Sequence, residues 1–247
     1  MKIKSVKTHK IILGDNLFDI LDKYISFIEE GSIIAITSKI VAICERRIVK
    51  SDKINKYELI EKEADFILDD SKKSKYGIVI TIKNNLLIPT AGIDESNGNG
   101  YFILWPKNPQ KTANEIRRYL KKKFRLKKLG IIITDSKTTP LRWGTSGVSI
   151  AFSGFSPLNN YIGKKDIFNK RLNVTKANVY DALASSAVLV MGEGNEQTPI
   201  AIIKDVSFLK FKNGNPTSRE IKNLRINLKD DLYSSLFESR KWKKMKK

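Results

Sequence analysis

Three acids stand where strand ends or glycines would aim them into loops. Asp94 lies in Thr90-Ala91-Gly92-Ile93-Asp94-Glu95-Ser96-Asn97, just after an apolar run. Asp135 closes Ile131-Ile132-Ile133-Thr134 and is followed by the hydroxyl of Ser136, and Glu193 sits in Met191-Gly192-Glu193-Gly194-Asn195. Rigid elements present side chains into the loops beyond them, so acids at strand ends are frequent in active sites. Oxygen ligands of this kind suit a hard divalent cation, magnesium or manganese. Zinc chemistry has little to work with, because Cys44 is the sole cysteine and His9 the sole histidine. One histidine also gives poor support for a Ser-His-Asp triad, and His9 reads as a surface or hydrogen-bonded strand-end residue. Taken singly, each acid serves equally well as a turn-forming or capping residue.

These residues need elements to hold them. A strand is expected over 2–8, then a helix after the Gly14-Asp15-Asn16 turn, with Leu17, Ile20, Leu21, Tyr24 and Ile25 as its apolar stripe and Gly31 closing it. Ser32–Ser38 reads as a buried strand leading into a helix near Lys39, and a second helix is expected over 57–69. Strands over 77–82 and 85–88 pair around a Lys83-Asn84 turn. After a Gly- and Asn-rich loop come a strand at 101–105, a helix at 112–127 and a strand at 131–134. A loop over 136–147, a strand at 148–152, a helix at 174–191 and a strand at 199–206 follow. The expected class is α+β: mixed, largely antiparallel sheets with flanking helices, too irregularly interleaved for a doubly wound sheet. Neither G-x-x-x-x-G-K-[ST] nor G-x-G-x-x-G occurs.

Composition sets the outer limits. The 247 residues are 41% hydrophobic and 29% charged, which suits a globular chain. No apolar run reaches the roughly 18 residues a membrane helix needs, and residues 1–16 lack the apolar core of a signal peptide, so the cytoplasm is the expected location. Lys and Arg total 46 against 26 acids, a formal charge of +20, which favours anionic partners such as phosphorylated ligands or nucleic acid. Eight of the twelve residues from Arg117 to Lys128 are basic, as are six of the last eight. Ala113, Ile116, Leu120 and Phe124 recur at helical spacing within the first run, so its lysines read as a solvated helix face. None of the nucleic-acid reading modules has its signature here, so nucleic acid is not expected as the main partner.

Several blocks taken in order resemble one family. Ala91-Gly92-Ile93-Asp94-Glu95-Ser96-Asn97 resembles the AGxDxSN signature of the coenzyme F-420:γ-glutamyl ligases. Asp135-Ser136, with Pro140, Arg142 and Gly144, is similar to that family's aspartate-threonine segment with its Pro, Arg and Gly. Val190-Met191-Gly192-Glu193 with Pro199 resembles its late nucleotide-binding segment, and Thr37-Ser38-Lys39-Ile40-Val41, Glu45 and Gly14-Asp15-Asn16-Leu17 also fit. The likeness runs from about residue 5 to residue 206.

The resemblance implies a ligase that spends GTP or ATP, with Mg2+ or Mn2+, to join L-glutamate to a carboxylate of a small cofactor. By that likeness Asp94 and Asp135 hold one metal, with Ser136 and Glu193 on a second, and Asp94, Asp135 and Arg142 carry the chemistry. Thr37, Ser38, Lys39, Asn97, Met191, Gly192, Glu193, Gly194, Asn195 and Thr198 would contact the nucleotide. It also implies a homodimer, a ligase domain over 1–210 that could divide in two, and a basic C-terminal helix or appendage over 211–247.

The departures bear on substrate. The family's lysine four residues after Lys39 is Ile43 here, leaving Lys39 or Arg46 to compensate. Lys137-Thr138-Thr139-Pro140-Leu141-Arg142-Trp143-Gly144-Thr145 stands where the archaeal-type pattern has Phe-Gly-Arg-Pro-Trp-Arg-Glu-Gly-Gln. That variant is similar to a branch linked to γ-glutamylation of folate, so a folate-type acceptor is expected ahead of the deazaflavin coenzyme. The reading from a different class is a basic nucleic-acid binder on an inactive ligase scaffold.

Overall fold

The computed structural model of the chain describes residues 1–69 and 75–245, so Lys246 and Lys247 of the basic tail lie outside it. In chain order the first elements are β1 (Lys2–Val6), α1 (Leu17–Tyr24), β2 (Ser32–Thr37), α2 (Ser38–Cys44), β3 (Ile48–Lys50) and α3 (Lys56–Glu63). They are followed by β4 (Phe66–Leu68), β5 (Ile80–Lys83), β6 (Leu86–Pro89), β7 (Tyr101–Ile103) and α4 (Pro109–Lys123). Then come β8 (Leu129–Thr138), β9 (Thr145–Ser153), β10 (Leu158–Asn160), β11 (Lys176–Asn178), α5 (Val179–Met191) and β12 (Ile200–Lys204). The last described elements are α6 (Ser218–Lys222), α7 (Ser234–Glu238) and β13 (Trp242–Lys244).

A five-stranded sheet in the order β1-β12-β2-β8-β9 forms the centre. Its pairings are antiparallel except β2 with β8, which run parallel with Ile34 opposite Ile131 and Thr37 opposite Thr134. Both faces are covered, which explains why β2 reads as an unbroken apolar run rather than an alternating one. Ile34, Ile36, Ile131 and Ile133 pack beneath α1 and α4, whereas Ile33, Ala35 and Ile132 pack beneath α5. Side chains that alternate along a strand therefore serve two different helix layers. A four-stranded antiparallel sheet, β13-β4-β5-β6, builds a smaller lobe around Leu59, Ile60, Ile67, Ala91, Ile93 and Phe102. The architecture is α+β with largely antiparallel sheets, as the sequence pattern indicates.

Local chemistry sets the boundaries, and several differ from expectation. Asn16 caps α1 by accepting from the amides of Phe18 and Asp19, yet the helix stops at Tyr24 and Gly31 turns the chain into β2 instead. The second helix ends at Glu63, because Ala64 turns extended and Phe66–Leu68 pairs with β5. The β5–β6 turn is Asn84-Asn85, both at positive φ, the backbone a two-residue hairpin demands and asparagine tolerates. Asn108 caps α4, which begins at Pro109, and α5 starts at Val179 after an Asn178 cap, five residues later than its apolar composition implies. Half of the expected 136–147 loop is strand: β8 and β9 continue their ladder as far as Thr138 and Thr145, leaving 139–144 as the connection.

The basic helix holds one surprise. Its apolar stripe is buried as expected, but Arg117 is buried too, at 4% exposure. Its guanidinium donates to the carbonyls of Leu129, Lys212 and Asn213 at 3.1, 2.8 and 2.7 Å. Arg117 thus fastens the segment after β12 to the central sheet, and β13 then crosses to pair with β4. Among the described residues, no helix is long and apolar enough to cross a membrane.

Contact between α5 and β9 is close enough to exclude a side chain. A Cβ at Gly147 would stand 2.5 Å from the Ala184 carbonyl oxygen and 2.8 Å from Val188 Cβ. Overpacking of this kind typically costs about 1–3 kcal/mol. Gly147→Ala is expected to lower the unfolding free energy by that amount, read as a lower urea midpoint at an unchanged slope, whereas Gly163→Ala, whose site is open, tests the cost of positive φ alone.

Candidate active site

The parallel pairing of β2 with β8 sends the C-terminal ends of both strands to the same edge of the sheet. Antiparallel neighbours add their starts to that edge: β9 begins there at Thr145 and β12 at Ile200. Lys39, Asp135, Ser136 and the loop over 192–198 therefore gather without any of them being near in sequence.

Asp94 reaches this edge from the smaller lobe. Thr90, Ala91 and Gly92 all adopt positive φ in a tight turn, and the Ala91 amide donates to Thr81 Oγ1 at 2.8 Å. Asp94 then exchanges backbone hydrogen bonds with Ile103, which pins it to the end of β7. Its Oδ1 accepts from the Ser96 amide at 2.7 Å and the Ser96 hydroxyl at 2.8 Å. Lys39 Nζ sits 2.8 Å from Oδ2 and donates to Ser96 Oγ at 3.0 Å. Burial works to raise the Asp94 pKa, but the hydrogen bond and charge of Lys39, with help from Ser96, outweigh it and hold the carboxyl below its usual range.

Asp135 is held differently. Its Oδ1 accepts from the Ser136 amide at 2.9 Å and its Oδ2 from the indole N–H of Trp105. Burial pushes its pKa up to about 6; the Trp105 and Ser136 hydrogen bonds oppose that rise and the Asp94 charge adds to it. A second grouping lies next along β8. Ser136 Oγ donates to Glu193 Oε1 at 2.7 Å, and Thr145 Oγ1 donates to the same oxygen at 3.2 Å.

The loop after α5 is tied at several points. Gly192 adopts φ of 80°, and the Gly194 amide donates to Glu196 Oε2 at 2.8 Å. Asn97 Nδ2 donates to the Gly194 carbonyl at 3.1 Å, joining the Asp94 loop to this one, and Thr198 Oγ1 donates to the Met191 carbonyl. The Met191 side chain is core, packed beneath the sheet, so it presents only backbone to this edge. Asn195 is exposed. Thr37 caps α2 by accepting from the Lys39 amide at 3.4 Å, and Ser38 is buried.

Not every expected residue converges. Arg142 is exposed at the tip of the β8–β9 hairpin, where Leu141 and Trp143 are fully exposed beside it. Among the described residues its guanidinium has no ion-pair partner. Ile43 packs with Ala42 and Ile103, so the position that carries lysine in the family pattern is an apolar contact between α2 and β7. Arg46 lines a separate cleft of about 320 Å³ with Asp15, Asn16, Cys44 and Glu45, away from the Lys39–Asp94 pair. Glu45 is fixed there by Thr112 Oγ1 at 2.7 Å and the Lys107 amide at 3.0 Å. His9 spans Tyr24 Oη and Asp15 Oδ2, a hydrogen-bonded strand-end residue as expected. Trp105 carries no motif that marks it in sequence, Thr145 enters only as the residue in the family pattern's Gln position, and only the fold brings both to the acids.

Asp94, Asp135, Ser136 and Glu193 are hard oxygen donors of the type magnesium or manganese accepts. They stand in two adjoining pairs, and no group of three or more His, Cys, Asp or Glu side chains among the described residues is gathered tightly enough to form a finished metal cage. A sparse protein donor set is compatible with a cation that keeps waters and phosphate oxygens as ligands.

Residues 5–205 match the family model described as F420-0:Gamma-glutamyl ligase. A coenzyme F420:L-glutamate ligase of Methanococcus maripaludis is 36% identical over 219 residues, 83% of this chain and 86% of the relative. Proteins of the same name from Methanocaldococcus jannaschii and Methanosarcina mazei are each 34% identical, covering 81% and 84% of this chain and 84% and 88% of the relatives. With the match running through every block that meets at the sheet edge, the chain belongs to the F420-0:gamma-glutamyl ligase family and is by that membership a γ-glutamyl ligase.

Proposed function

We propose that the chain uses a nucleoside triphosphate, GTP or ATP, to activate an acceptor carboxylate and then joins that carboxylate to the amine of L-glutamate. The observation that carries this reading is the gathering of Lys39, Asp94, Asp135, Ser136 and Glu193 at one sheet edge beside the 192–198 loop. A carboxylate is a poor acyl donor, because oxide is a poor leaving group. Attack of a carboxylate oxygen on the γ-phosphorus expels the nucleoside diphosphate and leaves an acyl phosphate. The glutamate amine then attacks the acyl carbon, phosphate departs with the bonding electrons, and the amine proton passes to solvent or a base. Asp94, Asp135, Ser136 and Glu193 are the residues that would hold magnesium or manganese, which supplies charge neutralisation at the phosphate oxygens. Lys39 adds fixed positive charge at the same edge, and Thr37, Ser38, Asn97 and the 191–198 segment line the nucleotide's place. We place the reaction in the cytoplasm.

For the acceptor, the names of the relatives favour the deazaflavin coenzyme F-420. A folate-type acceptor retains one supporting observation, the altered hairpin over 137–145. Two of the cations have structural duties, Arg117 against backbone carbonyls and Lys83 against Glu63, and the remaining positive excess suits a polyanionic nucleotide.

We also propose a homodimer. Leu141 and Trp143 on the hairpin tip, Ile167 and Phe168 on the 161–174 turn, and Leu189 on the outer side of α5 are exposed apolar side chains. Exposed apolar surface of this extent is the kind that protein interfaces cover.

The decisive assay incubates the chain with GTP or ATP, L-glutamate, Mg2+ or Mn2+ and each acceptor, and weighs the products. A glutamate adduct on the deazaflavin acceptor is expected, lost by at least about 100-fold in Asp135→Asn. Adducts on neither acceptor would sink both choices, and tight, steeply salt-dependent nucleic-acid binding that survives Asp135→Asn would favour the other class.

A pH signature follows from Asp135. Its native pKa, about 6, lies above the ordinary 3.8, so folding favours the protonated form. That stabilisation is fully present below pH 3.8 and disappears as the pH rises through 6, a change of at most about 3 kcal/mol. Metal-free melts between pH 4.5 and 7.5 should fall more steeply for the unaltered chain than for Asp135→Asn. Magnesium or manganese should recover the loss only where Asp135 is present.

Light scattering should return about twice the 28.1 kDa chain mass. Trp143→Lys with Leu189→Lys should shift it to monomer; a monomeric unaltered chain would exclude the dimer.

A further inference from the structure

Behind Asp135 lies a buried arrangement that the family motifs do not include. Trp105 follows β7, is 2% exposed, and directs its indole N–H at Asp135 Oδ2. The ring is fixed from three sides. Arg47 Nε donates to the Trp105 carbonyl at 3.1 Å, while the Leu104 amide donates to the Arg47 carbonyl at 3.0 Å. Lys83 Nζ stands 5.1 Å from the ring centroid, within range of a cation–π attraction. Arg47 and Lys83 both end on one carboxylate, Glu63, at 2.7 and 2.8 Å. Gly92 closes the remaining side: a Cβ there would fall 2.1 Å from the indole nitrogen. The glycine two residues before Asp94 is therefore needed for the indole to lie where it does, which couples the Asp94 turn to the Asp135 contact.

An indole N–H can only donate, and a carboxylate can accept about four hydrogen bonds on its two oxygens. Trp105 takes one position on Oδ2 and the Ser136 amide takes one on Oδ1, which fixes the carboxylate plane and leaves its other lone pairs toward the site. Losing a group that orients a ligating side chain in this way typically costs about 10- to 100-fold in cation affinity.

We propose that Trp105, clamped by the Arg47–Glu63–Lys83 cluster, is a positioning residue that orients Asp135 to receive a divalent cation. The proposal rests on the reading of Asp135 as a cation-binding residue, and the experiment separates the two. Mn2+ binding to the full chain is followed by the loss of the free-ion electron paramagnetic resonance signal. Trp105→Phe keeps the ring against Lys83 and Gly92 but removes the N–H. It is expected to weaken Mn2+ binding about 10- to 100-fold. Asp135→Asn should weaken it at least as much, and the double variant should be no weaker than Asp135→Asn alone, because the indole acts through that carboxylate. Affinity unchanged in Trp105→Phe, or losses that multiply in the double variant, would overturn the proposal while leaving the cation reading intact. Failure of the unaltered chain to bind Mn2+ would overturn both.

A second measurement leaves Trp105 in place. In a chain carrying Trp143→Phe and Trp242→Phe, Trp105 is the sole tryptophan. Mn2+ should quench its emission with the midpoint seen by resonance, and Asp135→Asn should abolish the quenching. Emission indifferent to bound Mn2+ would refute the contact irrespective of how Trp105→Phe folds.

Discussion

The parallel register of β2 against β8, Thr37 beside Thr134, decides where this protein's chemistry can be. Parallel strands leave a sheet at the same edge, and ligand sites in such sheets form at that edge. Here it receives the start of α2 with Lys39 and the Asp135-Ser136 pair on the continuing β8. Antiparallel β12 and β9 enter from the same edge, so the loop that carries Glu193 and the hydroxyl of Thr145 arrive there as well. Slipping β8 by one residue would turn Asp135 to the opposite face and bury it beneath a helix layer. The close-packed isoleucines on both faces of β2 and β8 hold the register against that slip.

Charge is used inside this molecule as well as outside it. Glu63 pairs with half-buried Arg47 and buried Lys83, and Arg117 is buried against carbonyls, with no carboxylate among its partners in the described residues. Desolvating charged groups costs several kcal/mol unless every donor finds an acceptor, and a well-packed apolar core is often as stable. What the ionic arrangement adds is geometry. Arg117 determines where the segment after β12 lies, and the Glu63 cluster determines where the Trp105 ring lies. Much of the family resemblance concerns loops, yet those loops depend on buried cations that no loop motif includes.

The acids illustrate how an environment separates like groups. Asp94, facing Lys39 and Ser96, is held as a carboxylate below its ordinary range. Asp135, half-buried with an indole and an amide for partners, is pushed up to about 6 by desolvation. Two aspartates at one edge thus differ in their hold on a proton because desolvation dominates at Asp135, whereas Lys39 bonds directly to Asp94 and outweighs it there.

Asp94, Asp135, Ser136 and Glu193 could be singled out as candidates because their blocks follow in an order that resembles one family, while the apolar stripes of α1 and α4 were legible from helical spacing. The α+β class followed from hydrophobic periodicity, which is a property of neighbouring residues. The helix expected over 57–69 and the loop expected over 136–147 failed because partners distant in sequence decided them: β5 drew Phe66–Leu68 into a sheet, and β9 extended β8 past Asp135. Trp105 and the buried role of Arg117 were not legible at all, and Thr145 showed only as a departure from the family pattern. A hydrogen-bond partner 30 residues away, or a set of backbone carbonyls 95 or 96 residues away, leaves no trace in local pattern. The sequence by itself determined which side chains could do the chemistry. Only the tertiary structure decided which of them meet, because that depends on strand register and on the burial of charges whose partners lie elsewhere in the chain.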